Sequence, residues 1–397
     1  MDKTQRAISP INDRLKEAYS FRKPVIISDC TLRDGEQQAG LVFTTADKLA
    51  IAKALDKLGV DEIESGMPAV SDEDLQAVKQ IVNADLNAKI TALSRATKED
   101  IDIAYESGVW GVSISLPVGD LQRKHKLKWT EEKYIDTCLS ITEYARKKGM
   151  HVILSPYDTF RVNLDFFEEL LRRLEKEGTV DRIRLVDTVG AAHPESVRYL
   201  VNRINQSFNF EIEAHCHDDF GLATANTVAA LGAGADVASV TMNGIGERSG
   251  NTALEEVVAA LEILYDAETN IDLQKLRETS KQIEKISGVR LQSHKPVVGD
   301  NSYRHESGMV VAGLLEEPFT AEAIRPGVVG QSREIVIGKG SGEKAIVHKL
   351  QQLGLDINGV NISTLLNMIK EYSIQKKRAL MDEEIKTLYQ NSLQLVE

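Results

Sequence analysis

The chain has few cysteines, few aromatics and no long apolar run, and each shortage removes a class of protein. Three isolated cysteines, Cys30, Cys138 and Cys216, do not make a disulfide framework, so a reducing cytoplasm is the expected compartment. No apolar stretch approaches the ~20 residues of a membrane span. The opening segment, MDKTQRAISPINDRLKEAYS, lacks the apolar core of a secretory signal. Basic residues are in deficit, 48 against 60 acidic, for a formal net charge of −12. Nonspecific nucleic-acid binding needs a cationic surface to replace phosphate counterions and is therefore not expected. Aromatics make up 5% and hydrophobic residues 42%, so the core must be largely aliphatic. A length of 397 residues has room for one large domain and a smaller one.

What is present is an alternation. Short β-rich runs begin at Val25, Asp61, Lys89, Gly111, His151, Asp181, Glu211 and Val237, and each is followed by a stretch of helical periodicity. The strands are continuous apolar runs, as expected when protein covers both faces. Eight β-α units favour parallel strands with helical crossovers, and their number matches a closed (β/α)8 TIM barrel. The rival is a doubly wound open sheet. Polar residues gather where the strands end: Arg33 and Asp34, Glu64, Arg95, Asp158 and Arg161, Asp187 and Thr188, His215 and His217, Asn243 and Glu247. A barrel would converge them on one mouth, whereas an open sheet would spread them along an edge. The predicted division is an N-terminal extension (1–24), a barrel (25–268) and a smaller, mainly helical C-terminal region (269–397) that covers the mouth or reaches a neighbouring subunit.

Three segments carry chemistry. DCTLRDGEQ, from Asp29 to Gln37, sets Arg33 beside Asp34 at the end of strand one. Its structural reading is an ion pair closing the barrel. Its functional reading is a carboxylate metal ligand next to a cation that stabilises an oxyanion. AHCHDD places His215 and His217 two apart on a strand, hence on one face. Two imidazoles and Asp34 would hold one divalent ion with coordination positions open, and Mn2+, Mg2+ and Zn2+ all suit such a set. NGIGERSGN, from Asn243 to Asn251, is a glycine-rich turn whose N–H groups suit an anion. Asn243 is counted with the metal group, as a ligand or as the holder of a water on the ion.

LRDGEQ, HCHDD and NGIGERSGN together resemble the metal-dependent acyl-CoA/2-oxo acid condensing barrels, the family of 2-isopropylmalate, homocitrate and citramalate synthases. The likeness runs from about Val25 to Gly342. It implies that Asp34, His215 and His217 bind the metal, that Arg33 polarises a keto oxygen, and that Thr188 binds the 2-oxo acid carboxylate. Gln37 and Arg95 would line the pocket. Glu213 resembles the homocitrate branch, and SPYDTFR (Ser155 to Arg161) resembles a segment whose Arg meets the distal carboxylate of a 2-oxoglutarate-like acid. The implied reaction is a Claisen-type condensation of acetyl-CoA with a 2-oxo acid in a homodimer, with no nucleic-acid or membrane partner. A lyase or aldolase cleaving a hydroxy acid on the same site is the alternative, and a silent ligand sensor is a third.

The pattern is broken in places. Tyr157 stands where the family has Glu. HESGMV puts Val310 where a second His is usual, leaving His305, and GKGSG (Gly338 to Gly342) replaces GKHSG. Valine cannot move a proton, so Tyr157, Tyr303, His305 or Glu306 would have to serve. The end near residue 397 points to the shorter homocitrate-type members, which lack the regulatory domain of leucine-controlled relatives. RKHKLK (Arg123 to Lys128) reads first as a solvated loop and second as a contact for coenzyme A phosphates. Cys30 and Cys216 read as packing.

Overall fold

The computed structural model describes residues 3–394. Eight parallel strands close into one barrel in sequence order: β1 (Ile26–Asp29), β2 (Glu62–Glu64), β3 (Lys89–Arg95), β4 (Gly111–Ser115), β5 (His151–Ser155), β6 (Arg182–Asp187), β7 (Glu211–Cys216) and β8 (Val237–Val240). β1 pairs with β2 on one side and β8 on the other, with Ile26 opposite Val237, which removes the open-sheet alternative. The crossover helices start where a side chain can accept from a free N–H. Thr44 opens α1 (Thr45–Leu58) with a capping box, Ser71 opens α2 (Asp72–Val82), and Thr97 opens α3 (Lys98–Glu106). Thr130 and Asn163 do the same for α4 (Glu131–Lys147) and α5 (Leu164–Glu177). α6 (Pro194–Ser207) and α7 (Ala223–Gly232) flank β7 in the chain, and α8 (Leu254–Ala259) follows β8.

The barrel interior is not apolar throughout. Along β6, Arg182 and Arg184 are two apart, as are Glu62 and Glu64 on β2 and Glu211, Glu213 and His215 on β7. Side chains two apart share a face. β2 and β6 lie on opposite sides of the barrel, so a bond between them must cross its interior. Arg182 donates to both oxygens of Glu62 at 2.6 and 2.8 Å, and Arg184 Nη1 donates to Glu64 at 2.9 Å. Two ionic layers therefore fill space that barrels usually fill with branched aliphatics.

This compact unit runs from Pro10 to Leu291. It extends past the boundary expected at 268 because α9 (Leu276–Ser287) belongs to it, tied at Ser280 to the strand-eight loop. The other unit comprises residues 3–9 and 292–394 of those described. It holds a short parallel pair, Arg304–His305 with Glu334–Ile335, and helices α10 (Gly308–Glu316), α11 (Glu343–Gln352), α12 (Ile362–Lys376) and α13 (Asp382–Gln394). Val311, Ile337, Ile346, Leu365, Ile369 and Ile385 form its core. Among the described residues no helix is long and apolar enough to cross a membrane.

Candidate active site

Asp34 sits in a tight turn just beyond β1, where the N–H groups of Arg33, Asp34 and Gly35 all point to the Cys30 carbonyl. His215 is near the end of β7 and His217 just past it, its N–H held by the Asp187 carbonyl. One ligand atom from each of Asp34, His215 and His217 lies within 4.8 Å of the others, and all three residues are buried. Asp34 Oδ2 is 3.0 Å from His215 Nε2 and 3.9 Å from His217 Nε2. Burial works to raise the Asp34 carboxyl, but the Arg33 guanidinium and the His215 bond hold it well below the usual carboxylate range. Burial, then His215, lowers His217 to about 4, so its imidazole is neutral and its lone pair is available. His215 Nδ1 meets Ser239 Oγ at 2.9 Å, which reserves Nε2 for the cluster.

The donor set fits a divalent ion. Asp34 Oδ1 and His217 Nδ1 are buried without hydrogen-bond partners, a costly state for a carboxylate oxygen unless a cation occupies the cluster. Two imidazoles and a carboxylate leave room for further ligands from substrate or water.

Arg33 is fixed from two sides. Its Nη1 donates to Asp34 and its Nε to Glu64, both at 2.6 Å. Glu64 in turn accepts from Arg184, whose Nε is 2.8 Å from Glu213. The ionic layers thus run up to the metal cluster.

A cavity of about 410 Å³ opens over this group. Arg33, Asp34, Gln37, Tyr157, Thr188, His215 and His217 all line it. Four candidates of the barrel unit are not on its wall. Asn243 has φ 67°, donates through Nδ2 to the Ser280 carbonyl and accepts from Ser280 Oγ, so its amide serves α9 and not the metal cluster. Arg95 lies exposed in a two-bond pair with Asp100. Arg161 makes the same kind of pair with buried Asp158, at 2.6 and 3.0 Å. Glu213 is enclosed by Arg182 and Arg184 within the barrel, one pleat repeat below His215. His305 belongs to the other unit, where Nε2 is 3.2 Å from Glu322, a carboxylate also held by Arg333. The thiols of Cys30 and Cys216 are pushed up by burial, Cys216 to about 12, as suits packing residues.

The cavity wall also carries Gln122, Lys126, Arg184 and Arg248, which were not singled out individually. Arg184 was legible in principle, because RIR in a buried strand is a period-2 charge pattern. Arg248 lies in the glycine-rich turn and bonds Asp219 and the Thr188 carbonyl. The turn needs its glycines. At Gly250, φ is 94° and a Cβ would sit 2.0 Å from the Gly244 carbonyl oxygen.

A closed parallel barrel with a buried two-histidine, one-aspartate cluster at the C-terminal ends of its strands defines a TIM-barrel enzyme with a metal-type centre. Residues 24–283 match the family described as HMGL-like, and residues 297–377 match the homocitrate synthase post-HMGL domain-like family. The chain belongs to the HMGL-like family. It is 41% identical to homocitrate synthase AksA of Methanothermobacter thermautotrophicus, over 95% of each chain. It is 40% identical to 2-isopropylmalate synthase 2 of Caldanaerobacter subterraneus, covering 94% of this chain and 97% of the relative. It is 42% identical to (R)-citramalate synthase CimA of Methanocaldococcus jannaschii, covering 88% and 71%. In fold it is similar to the HMG-CoA lyase of Bacillus subtilis, with a TM-score of 0.62 at 24% identity over 69% of this chain and 97% of the lyase.

Proposed function

We propose that this enzyme condenses an acyl-CoA, acetyl-CoA first among them, with a 2-oxo acid. The observation that carries the reading is the meeting of Arg33 with the Asp34–His215–His217 cluster on one cavity wall, in a chain whose synthase relatives match over most of its length. Those relatives support condensation over the lyase reading, since the likeness to solved lyases extends to the fold alone.

Asp34, His215 and His217 would hold the divalent ion. When bound, it would supply Lewis-acid polarisation of the 2-oxo acid carbonyl. The protein's own groups then have separable tasks. Arg33, locked between Asp34 and Glu64, offers fixed positive charge where negative charge grows on the keto oxygen. Thr188 Oγ1 accepts from the Asp158 N–H at 2.7 Å, which leaves the hydroxyl's own proton to donate to the 2-oxo acid carboxylate. Gln37 lines the same space. In the net reaction the acyl methyl carbon loses a proton and bonds the keto carbon, and the keto oxygen gains a proton. Water then cleaves the thioester, releasing free coenzyme A and the new carboxylic acid.

Free-thiol release from acetyl-CoA with a panel of 2-oxo acids, with Mn2+, Mg2+ or Zn2+ supplied, tests the reading. Thiol release dependent on one oxo acid is expected. Oxo-acid production from hydroxy acids without coenzyme A, and no thiol release with any oxo acid, would replace it with the lyase alternative.

A further inference from the structure

Four cations line the cavity, and three are already matched. Arg33 pairs with Asp34 and Glu64, both at 2.6 Å. Arg184 pairs with Glu64 at 2.9 Å and Glu213 at 2.8 Å. Arg248 pairs with Asp219 at 2.8 Å and Glu247 at 3.2 Å. Lys126 differs. Its ammonium donates to the Tyr157 hydroxyl at 2.9 Å and lies 5.4 Å from the centre of that ring. Among the described residues no carboxylate comes within ion-pairing distance of it. The acids on its own segment are engaged elsewhere: Asp120 takes Lys124 and Arg123, and Glu131 takes Arg123.

A lysine ammonium that faces a cavity without a counter-ion is a ready partner for an anion, and it carries three donors for one. Lys126 belongs to a π-helical turn, Gln122–Leu127, that follows β4. Gln122 at the start of that turn also lines the cavity and can add an amide donor. Tyr157 uses its hydroxyl oxygen to hold the ammonium. A glutamate at position 157 would neutralise that charge, whereas tyrosine orients it and leaves it available. The other cations near the strand ends, Arg161 and Arg95, each spend two N–H groups on an aspartate and are absent from the wall.

We propose that Lys126, oriented by Tyr157, receives the distal carboxylate of a dicarboxylic 2-oxo acid and so sets the substrate class of this enzyme. The inference rests on the condensation reading above. It assigns the second carboxylate to a cation supplied after β4, in place of Arg161 after β5.

The test uses the full-length enzyme with its divalent ion and compares a dicarboxylic 2-oxo acid, 2-oxoglutarate, with a monocarboxylic one, 2-oxoisovalerate. The readout is the ratio of their kcat/KM values. Lys126→Met should lower that ratio about tenfold, the scale of one charge-assisted bond at a partly solvated site. The loss should fall mainly on the KM of the dicarboxylic acid, and Lys126→Arg should restore most of it. Tyr157→Phe should lower the ratio by a smaller factor. An unmoved ratio overturns the assignment. So does a wild-type enzyme that turns over monocarboxylic acids alone. A rise confined to the KM of acetyl-CoA would assign the lysine to the acyl donor instead. If the wild type released thiol with no oxo acid, the condensation reading would fail by itself. Calorimetric titration of 2-oxoglutarate into wild type and Lys126→Met would then decide the lysine's role, with equal affinities counting against it.

Discussion

Glu64 is where the buried charges of the barrel converge, and its replacement by glutamine gives a sharp test of the ionic interior. The side chain is fully buried and accepts Arg33 Nε at 2.6 Å and Arg184 Nη1 at 2.9 Å. Burial alone would raise its carboxyl, but Arg184 and Arg33 outweigh burial and hold it down at about 2, against an ordinary 4.5. A folded-state pKa below the unfolded one means stabilisation that is complete above the unfolded value and lost as pH falls through about 2. A drop of that size corresponds to roughly 3 kcal/mol. Removing one member of a buried ion pair costs about 3–5 kcal/mol, because the partner charge is left uncompensated. The two scales agree. Glu64→Gln should therefore lower the melting temperature at neutral pH by roughly 6–20 °C, at about 2–4 °C per kcal/mol for a domain of this size. Thermal scans and urea titrations from pH 7 down to pH 3 measure it. The gap between wild type and variant should hold steady above about pH 4.5 and narrow on further acidification. Adding Arg184→Met to Glu64→Gln should cost less than the two single losses together, by about 1–3 kcal/mol. A variant within 2 °C of wild type at pH 7, or a gap that widens in acid, would refute the reasoning.

The remaining predictions concern the metal cluster. Ser239→Ala removes the partner of His215 Nδ1 and should weaken divalent-ion affinity about 10–100-fold by calorimetry, with unchanged affinity counting against the orienting role. Asn243→Ala should leave ion affinity alone and cost about 1–3 kcal/mol in chemical denaturation, since it removes the partner of the buried Ser280 hydroxyl and a second bond to the Ser280 carbonyl; lost ion affinity would return Asn243 to the ligand group. Arg33→Ala should keep the ion and lose about 100-fold or more in kcat, and full activity would remove the oxyanion role.

The barrel was legible because its signals are local. Strands read as short continuous apolar runs, helices carry a period of 3.6, and Thr44, Ser71, Thr97, Thr130 and Asn163 mark the helix starts by side-chain chemistry. The metal cluster was legible for the same reason: alternation puts His215 and His217 on one face, and closure brings Asp34 to them. What failed depended on which neighbour captures a side chain. Asp158 is three residues from Arg161 and Asp100 five from Arg95, so each arginine folds back onto its own loop. Those captures could have been read from spacing. The fate of Glu213 could not. Alternation puts it on the same face as His215 but about 7 Å further down the strand. Only the closure of β2, β6 and β7 around one interior shows that Arg182 and Arg184 reach it there. At Asn243 a left-handed conformation turns the amide toward α9, a placement that residue spacing does not reveal.

The deficit of basic residues describes the whole chain and has the wrong sign for the cavity. An acidic protein can still present a cationic wall, because the ionic layers set the balance there. Glu62, Glu64 and Glu213 lie deeper, inside the barrel, and are consumed by Arg182 and Arg184. The carboxylates on the wall itself are Asp34 and Glu247, against the guanidinium and ammonium groups of Arg33, Arg184, Arg248 and Lys126. A divalent ion on Asp34 would shift that balance further toward positive. A second carboxylate on the substrate would meet the one wall cation that no carboxylate pairs among the described residues, which is the ground of the Lys126 proposal. The buried layers also give Arg33 and Asp34 a single arrangement, for each is held through Glu64 or His215 to a strand of the barrel. Tying Arg33 and Asp34 to strand residues Glu64 and His215 lets an acidic chain hold a fixed cation beside its candidate metal cluster.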